Sequence, residues 1–299
     1  MSFLKNYFSD LVVVECASVL AGPAVGMFFA ELGAEVIKIE NPSTNGDVTR
    51  GWKLNSENME DDISAYFSSV NWGKKSIALD LKTDIGKATA KKIILKSDIF
   101  IQNFLPGDEK KYALDYKSLS KENPKLIYVQ ITAFGEKDKR PGFDAILQAE
   151  TGFMKINGTP ETDPIKMPVA LIDVLLAHQV KEAVLLALMK RNHTGKGSFI
   201  SSSLFKSGVA SLINQAANYL NAGVIPERKG SDHPNISPYG TVFKTKDGKE
   251  IVIAAGTEKH FIYLCEALNI PDLAKDERFS WNHLRVKNNE ELKAILKKK

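Results

Sequence analysis

The stretch DLVVVECASVLAGPAVGMFFAELGAEVIKIE, residues 10–40, decides the fold. DLVVVE (10–15) reads as a short buried strand, SVLAGP (18–23) as a tight turn, AVGMFFAELG (24–33) as a helix stopped by glycine, and EVIKIE (35–40) as a second strand. That is one βαβ unit. The pattern recurs as KSIALDL (75–81), a helix over 84–96, DIFIQNF (98–104), a helix near 116–121, and KLIYVQITAFG (125–135). Strands alternating with helices predict an α/β domain with a parallel sheet covered on both faces. Residues 41–62 form a long polar loop containing Gly and Pro, and loops of that length in α/β domains usually build or cover a site.

Beyond residue 145 the periodicity predicts two long helices, over about 169–191 and 204–221, with strand-like SFISSS (198–203) between them. The texture then changes to Gly, Pro and Asn, followed by two strands joined through the hairpin dipeptide Asp247-Gly248. A boundary near Ala222 is expected, giving a large domain over 1–222 and a smaller α+β domain over 223–299 that ends in an amphipathic helix.

The chain has 299 residues, 43% of them hydrophobic, enough for a large core. Its 40 basic and 36 acidic residues are interspersed, with no basic run dense enough for a nucleic-acid or membrane patch, so neither partner is expected and any polyanionic ligand should be small. Cys16 and Cys265 lie far apart in apolar segments, which suits a reducing compartment rather than a disulfide or metal framework. No stretch approaches the roughly 20 apolar residues of a membrane span. Met1 is followed by Ser, Phe and Leu rather than a signal peptide, and the expected location is cytoplasmic.

Among candidate site residues, the AGP turn at Ala21 to Pro23 opens a helix after a strand, a place where free N–H groups hold phosphate. It lacks the G-x-G-x-x-G pattern, so an ordinary strand–helix corner stays open as the other reading. Lys74, Lys75, Lys82 and Arg140 are cations near strand edges or loops, each on its own a solvated surface group. His178, His193, His233, His260 and His283 are scattered without a Glu or His partner at helix spacing, so no metal site is expected. No G-x-S-x-G elbow and no activated cysteine supply a nucleophile. Asp173 is different. In KMPVALIDVLLAHQV (166–180) it has eight apolar neighbours, and on a helix Val169, Leu176 and Ala177 leave it no neutralising partner. A desolvated carboxylate is costly and its pKa rises. Such groups concentrate at functional sites, the competing reading being a helix cap tied to backbone N–H groups.

LAGPAVGMFFAELGAEVIKIENPSTNGDVTRGW resembles the N-terminal signature of the family III CoA transferases (CaiB/BaiF), which include formyl-CoA and carnitine CoA transferases and α-methylacyl-CoA racemase. NWGKKSIALDLKTDIGK, SDIFIQNFLPG, NPKLIYVQITAFG, RPGFDAILQAETGFM and TGKGSFISSSL follow in that family's order, covering about 11–299. The resemblance implies that Asp173 is the catalytic aspartate, attacking an acyl-CoA thioester to give a mixed anhydride and then an aspartyl-CoA thioester, in an apolar pocket that excludes water. It also implies coenzyme A contacts at Leu20, Ala21, Asn41, Leu79, Lys82, Asn103, Phe104 and Lys111, with Lys75 and Arg140 as further phosphate partners. The formyl-specific member has an amide side chain where Leu20 stands, which argues against formyl or oxalyl substrates. Leu105 stands where the family often has Arg, so one phosphate contact is expected to be either missing or supplied by Lys110 or Lys111. The racemase branch places His before the Asp of its GHD segment. Here the segment is GFDA, Phe143 then Asp144, so one base of a two-base proton exchange is missing.

The expected fold is therefore α/β, a Rossmann-like parallel sheet plus a smaller α+β domain, apparently truncated at the C-terminus because family members continue further. The expected function is CoA transfer from an acyl-CoA to a carboxylic acid, with coenzyme A as substrate, no tightly bound cofactor, and a homodimer if full-length. A non-catalytic CoA-binding remnant and an acyl-CoA racemase are the alternatives. The absent glycine fingerprint disfavours an NAD-dependent oxidoreductase.

Overall fold

A computed structural model describes residues 6–299, so the signal-peptide reading of Met1 to Leu4 lies outside the described residues. Six strands, β1 (Val12–Cys16), β2 (Glu35–Glu40), β3 (Lys75–Ala78), β4 (Ile99–Gln102), β5 (Ile127–Thr132) and β6 (Ser198–Ser203), form one sheet in the order β3-β2-β1-β4-β5-β6. Every neighbouring pair is parallel, as the strand–helix alternation requires. The chain runs outward from β1 to β3, returns to the centre, and runs the other way from β4 to β6. This is the order of Rossmann sheets, whose ligands bind where the two halves diverge, at the carboxyl ends of the central strands.

Helices α1 (Ala21–Glu31), α2 (Ala65–Asn71), α3 (Asp84–Ile94), α4 (Asp108–Lys111), α5 (Tyr116–Glu122), α6 (Asp144–Glu150), α7 (Phe153–Ile156), α8 (Leu171–Thr194), α9 (Leu204–Ala210) and α10 (Ile213–Ala222) follow in order. Alternating side chains send Val13, Ile99, Ile101, Ile127 and Val129 into one core with Val25 and Phe29 of α1 and Leu176 and Val180 of α8. Val14, Phe100 and Tyr128 go to the other face, against Ala90 and Ile94 of α3 and Leu119 of α5. The helix expected over 204–221 is broken: Ile213 has φ +40°, a conformation no continuous α-helix contains, so α9 and α10 are separate.

The chain divides into two compact units, residues 1–153 with 167–217, and residues 154–166 with 218–299. The change thus falls after residue 217 rather than 222, and a segment ahead of α8 also joins the second unit. That unit contains the hairpin β7 (Tyr239–Lys244) and β8 (Glu250–Ala254), then α11 (Glu258–Ala267), α12 (Asn282–Lys287) and α13 (Asn289–Leu296). Phe261, Cys265, Phe279, Leu292 and Leu296 form its core. Arg285 is buried among them and paired: it donates to the Ser237 and Phe279 carbonyls at 2.8 and 2.9 Å and lies 2.7 Å from a Glu258 carboxylate oxygen. Cys16 and Cys265 are both buried free thiols. No helix among the described residues is long and apolar enough to cross a membrane.

Gly22 lets the first turn of α1 press onto the end of β1, since a Cβ there would come 2.4 Å from the Ala17 Cβ. Gly22→Ala is expected to cost about 1–3 kcal/mol by overpacking, read as a lower urea midpoint with an unchanged slope.

Candidate active site

The carboxyl ends of β1 and β4 are tied together by a reciprocal pair: the Ser18 N–H donates to Asn103 Oδ1 at 3.2 Å and Asn103 Nδ2 donates to the Ser18 carbonyl at 3.0 Å. Beside this bridge lies a cavity of about 450 Å³ lined by Ala17, Ser18, Asn41, Asp47, Leu79, Lys82, Asn103, Phe104 and Tyr112. Five of the residues singled out in the sequence, Asn41, Leu79, Lys82, Asn103 and Phe104, are thereby brought to one surface at the switch point of the sheet. A larger open cleft of about 760 Å³ lies across the same loop, lined by Glu40, Arg50, Lys53 and Asp61 among others. Its cations are already spent, Arg50 on the Glu40 carboxylate and Lys53 on the Asn58 and Asp61 carbonyls, so it offers a ligand less.

The remaining sequence candidates sit elsewhere. Lys111 is exposed next to Tyr112 and pairs with Asp108. Leu20 is half-buried and packs on the apolar core that contains Ile172 and Leu176, while Ala21 is buried at the start of α1. Lys75 begins β3, at the amino end of the strand whose carboxyl end leads to Leu79 and Lys82 in the cavity, and pairs with Glu35 at 2.7 Å. Arg140 is exposed, bonded to Asp138 at 3.0 Å and Glu150 at 3.1 Å, with its guanidinium 3.8 Å from the Phe134 ring. Lys75 and Arg140 are therefore not gathered with the others.

Asp173 lies in the first turn of α8, only 6% exposed. Its own carboxylate does not cap the helix. Asp144 does that: its Oδ1 accepts from the Ile172 N–H at 2.7 Å and more weakly from the Asp173 N–H at 3.4 Å, and Gln148 Nε2 donates to its Oδ2 at 2.7 Å. Gln148 also accepts from the Met167 N–H at 2.8 Å and donates to the Val169 carbonyl at 3.1 Å, so α6 holds the whole approach to α8. With the Ile172 and Asp173 N–H groups bonded to Asp144, the buried Asp173 side chain pairs with no cation among the described residues. Burial, and then the negative charge of Asp144, push its pKa up to about 7.

Sequence reading missed the residues around this carboxylate. Burial and the charges of Asp173, Asp144 and Asp47 together raise the Tyr66 pKa, so the phenol stands near all three. Tyr66 meets Trp52 edge to face at 5.0 Å, and Trp52 lies 6.5 Å from Phe143. Trp52, Tyr66 and Phe143 thus form an aromatic group drawn from the 41–62 loop, α2 and the residue before Asp144, with Tyr66 within range of the Asp173 charge. The loop composition and the dipeptide Phe143-Asp144 were the available signals, but proximity across four segments is not a sequence property. Among the described residues no group of three His, Cys, Asp or Glu side chains is placed to hold a metal.

The family model for CoA-transferase family III matches residues 8–299. The chain is 41% identical over 298 residues to a succinate–glutarate CoA-transferase of Agrobacterium fabrum, covering 98% of this chain and 74% of that protein. It is 41% identical to the succinyl-CoA:glutarate CoA-transferase of Mus musculus, covering 95% of this chain but only 64% of the mouse protein. Its structure resembles a CaiB/BaiF family protein from Brucella suis with a TM-score of 0.79 and 40% identity, over 99% of this chain and 77% of that one. A Mycobacterium tuberculosis protein aligns with a TM-score of 0.83 at 32% identity, over 96% of this chain and 76% of that one. The chain belongs to CoA-transferase family III.

Proposed function

We propose that this protein transfers coenzyme A from an acyl-CoA to a free carboxylic acid with Asp173 as the covalent nucleophile. The observation that carries the reading is a carboxylate 6% exposed with no counter-charge, held at the start of the longest helix by another residue's cap. In the proposed sequence the ionised Asp173 attacks the thioester carbonyl, the carbon–sulfur bond breaks, and CoA leaves as thiolate. The thiolate then attacks the aspartyl carbonyl, releasing the donor carboxylate and leaving an aspartyl-CoA thioester. An acceptor carboxylate repeats these steps in reverse and regenerates Asp173. Poor solvation keeps the carboxylate nucleophilic and keeps water from the anhydride.

The cavity beside Ser18 and Asn103 is the proposed seat of the CoA nucleotide, with Lys82 as a phosphate partner. The aromatic group of Trp52, Tyr66 and Phe143 is the proposed acyl side. A dicarboxylic or short-chain acyl group is the proposed substrate, in line with the relatives named above and with Leu20 in place of an amide. Phe143 is half-exposed and carries no proton-transferring group, which favours transfer over racemisation. Exposed Leu186 and Met189 on α8 fit coverage by a second copy of the chain, and the two free cysteines fit a cytoplasmic setting.

Incubation with succinyl-CoA is expected to give a covalent aspartyl-CoA adduct by intact mass in the parent chain and none in Asp173→Ala. CoA binding without adduct in the parent chain would leave a binding remnant instead. The rate of adduct formation is expected to rise with pH through about 7, as Asp173 ionises, and to level off above it. Because the folded state holds this proton more tightly than the unfolded chain, stability falls as pH rises from 3.8 through about 7. Asp173→Asn is therefore expected to stabilise the fold at pH 8 by on the order of 3–4 kcal/mol, with the gain disappearing near pH 4 in denaturant titrations.

A further inference from the structure

Under the turn that joins β1 to α1 lies a buried ionic cluster of Glu15, Lys38, Asp47 and Lys74. Glu15 and Lys38 are register partners on adjacent strands, and their charged ends meet at 3.1 Å. Lys38 also pairs with Asp47 at 3.0 Å, and Lys74 lies 2.8 and 2.9 Å from the two Glu15 oxygens. Two carboxylates face two ammonium groups, all but excluded from solvent. Such a cluster is a poor way to add stability, since desolvating four charges offsets most of their attraction.

What sets it apart is its grip on backbone. Lys38 Nζ donates to the Ala17 carbonyl at 2.6 Å, Lys74 Nζ donates to the Pro23 carbonyl at 2.8 Å, and the Asp47 carboxylate accepts from the Val19 N–H at 3.3 Å. The turn 17–23 is thus held at both ends and in the middle. Val19 has φ +72°, a left-handed conformation that a β-branched residue adopts only when its surroundings impose it. Ala17 and Ser18 line the cavity, and Leu20 packs on the core that carries Ile172 and Leu176 on either side of Asp173.

We propose that Asp47 is a positioning residue: through the cluster it imposes the strained Val19 backbone and so sets the 17–23 turn against the acyl group attacked by Asp173. The proposal rests on the reading of Asp173 as nucleophile, and its test separates the two. By hydrogen exchange, Asp47→Asn is expected to speed exchange in a peptide spanning 17–23 at least tenfold while leaving peptides of β4 and β5 unchanged. With succinyl-CoA the same variant is expected to form the Asp173 adduct at least tenfold more slowly. Adding Val19→Gly, which takes the left-handed conformation without a Cβ penalty, is expected to recover at least threefold of that loss. Unchanged exchange in the turn, or a double variant no faster than Asp47→Asn alone, would overturn the proposal. A parent chain that forms no adduct refutes the nucleophile reading, and the exchange result then decides the clamp alone. Should Asp47→Asn fail to fold, Val19→Gly in the intact cluster still tests it: relief of imposed strain predicts a melting midpoint at or above the parent's, and a lower one counts against it.

Discussion

The hydrogen bond from the Ile172 N–H to Asp144, 2.7 Å long, decides where α8 begins and what its first turn can do. A helix start exposes N–H groups that a nearby carboxylate will satisfy. Were Asp173 to take that role, it would be an ordinary capping residue with a depressed pKa. Because Asp144 arrives from α6 and takes it first, Asp173 keeps its charge unengaged in an apolar setting, with a second carboxylate close enough to push its pKa further up. Gln148 completes the arrangement by fixing both Asp144 and the strand of chain leading into α8.

Two kinds of buried charge therefore coexist in the larger unit. Around Asp173 the charge is left unpaired, which lowers stability and raises reactivity. Under the β1–α1 turn the charges are matched, and their geometry is spent on holding backbone. Lys38, facing both Glu15 and Asp47, has its pKa raised despite burial, which acts the other way. For Lys74, burial and the like charge of Lys38 outweigh the attraction of Glu15 and Asp47, and its pKa falls to about 8. Gly26 is what allows α1 to lie over this cluster, since a Cβ there would sit 2.0 Å from a Glu15 oxygen.

The alternation that reveals the sheet also hints at the cluster. In DLVVVE and EVIKIE, period-two reading puts Glu15 on the face of Val13 and Lys38 on the face of Val36, the face that α1 covers. An acid and a base on the same covered face of neighbouring strands is a readable sign of pairing, but the register that makes them partners is set by the strands meeting in space. Asp47 and Lys74 carried no such sign, because both reach the cluster from loops.

By itself the sequence determined the parallel α/β sheet, since apolar runs of strand length alternating with helical periodicity leave no other way to bury both faces. It also marked Asp173, because a carboxylate amid eight apolar residues is an energetic anomaly wherever the chain goes. Resemblance placed Asn41, Leu79, Lys82, Asn103 and Phe104, and the carboxyl ends of the strands gather them. Only the tertiary structure decided that Asp144 caps α8 in place of Asp173, that Tyr66 comes within range of its charge, and that Lys75 and Arg140 are taken by acidic neighbours elsewhere. Each of these depends on which segments meet across long sequence separations, and pair distances of a few ångströms are set by packing rather than by local pattern.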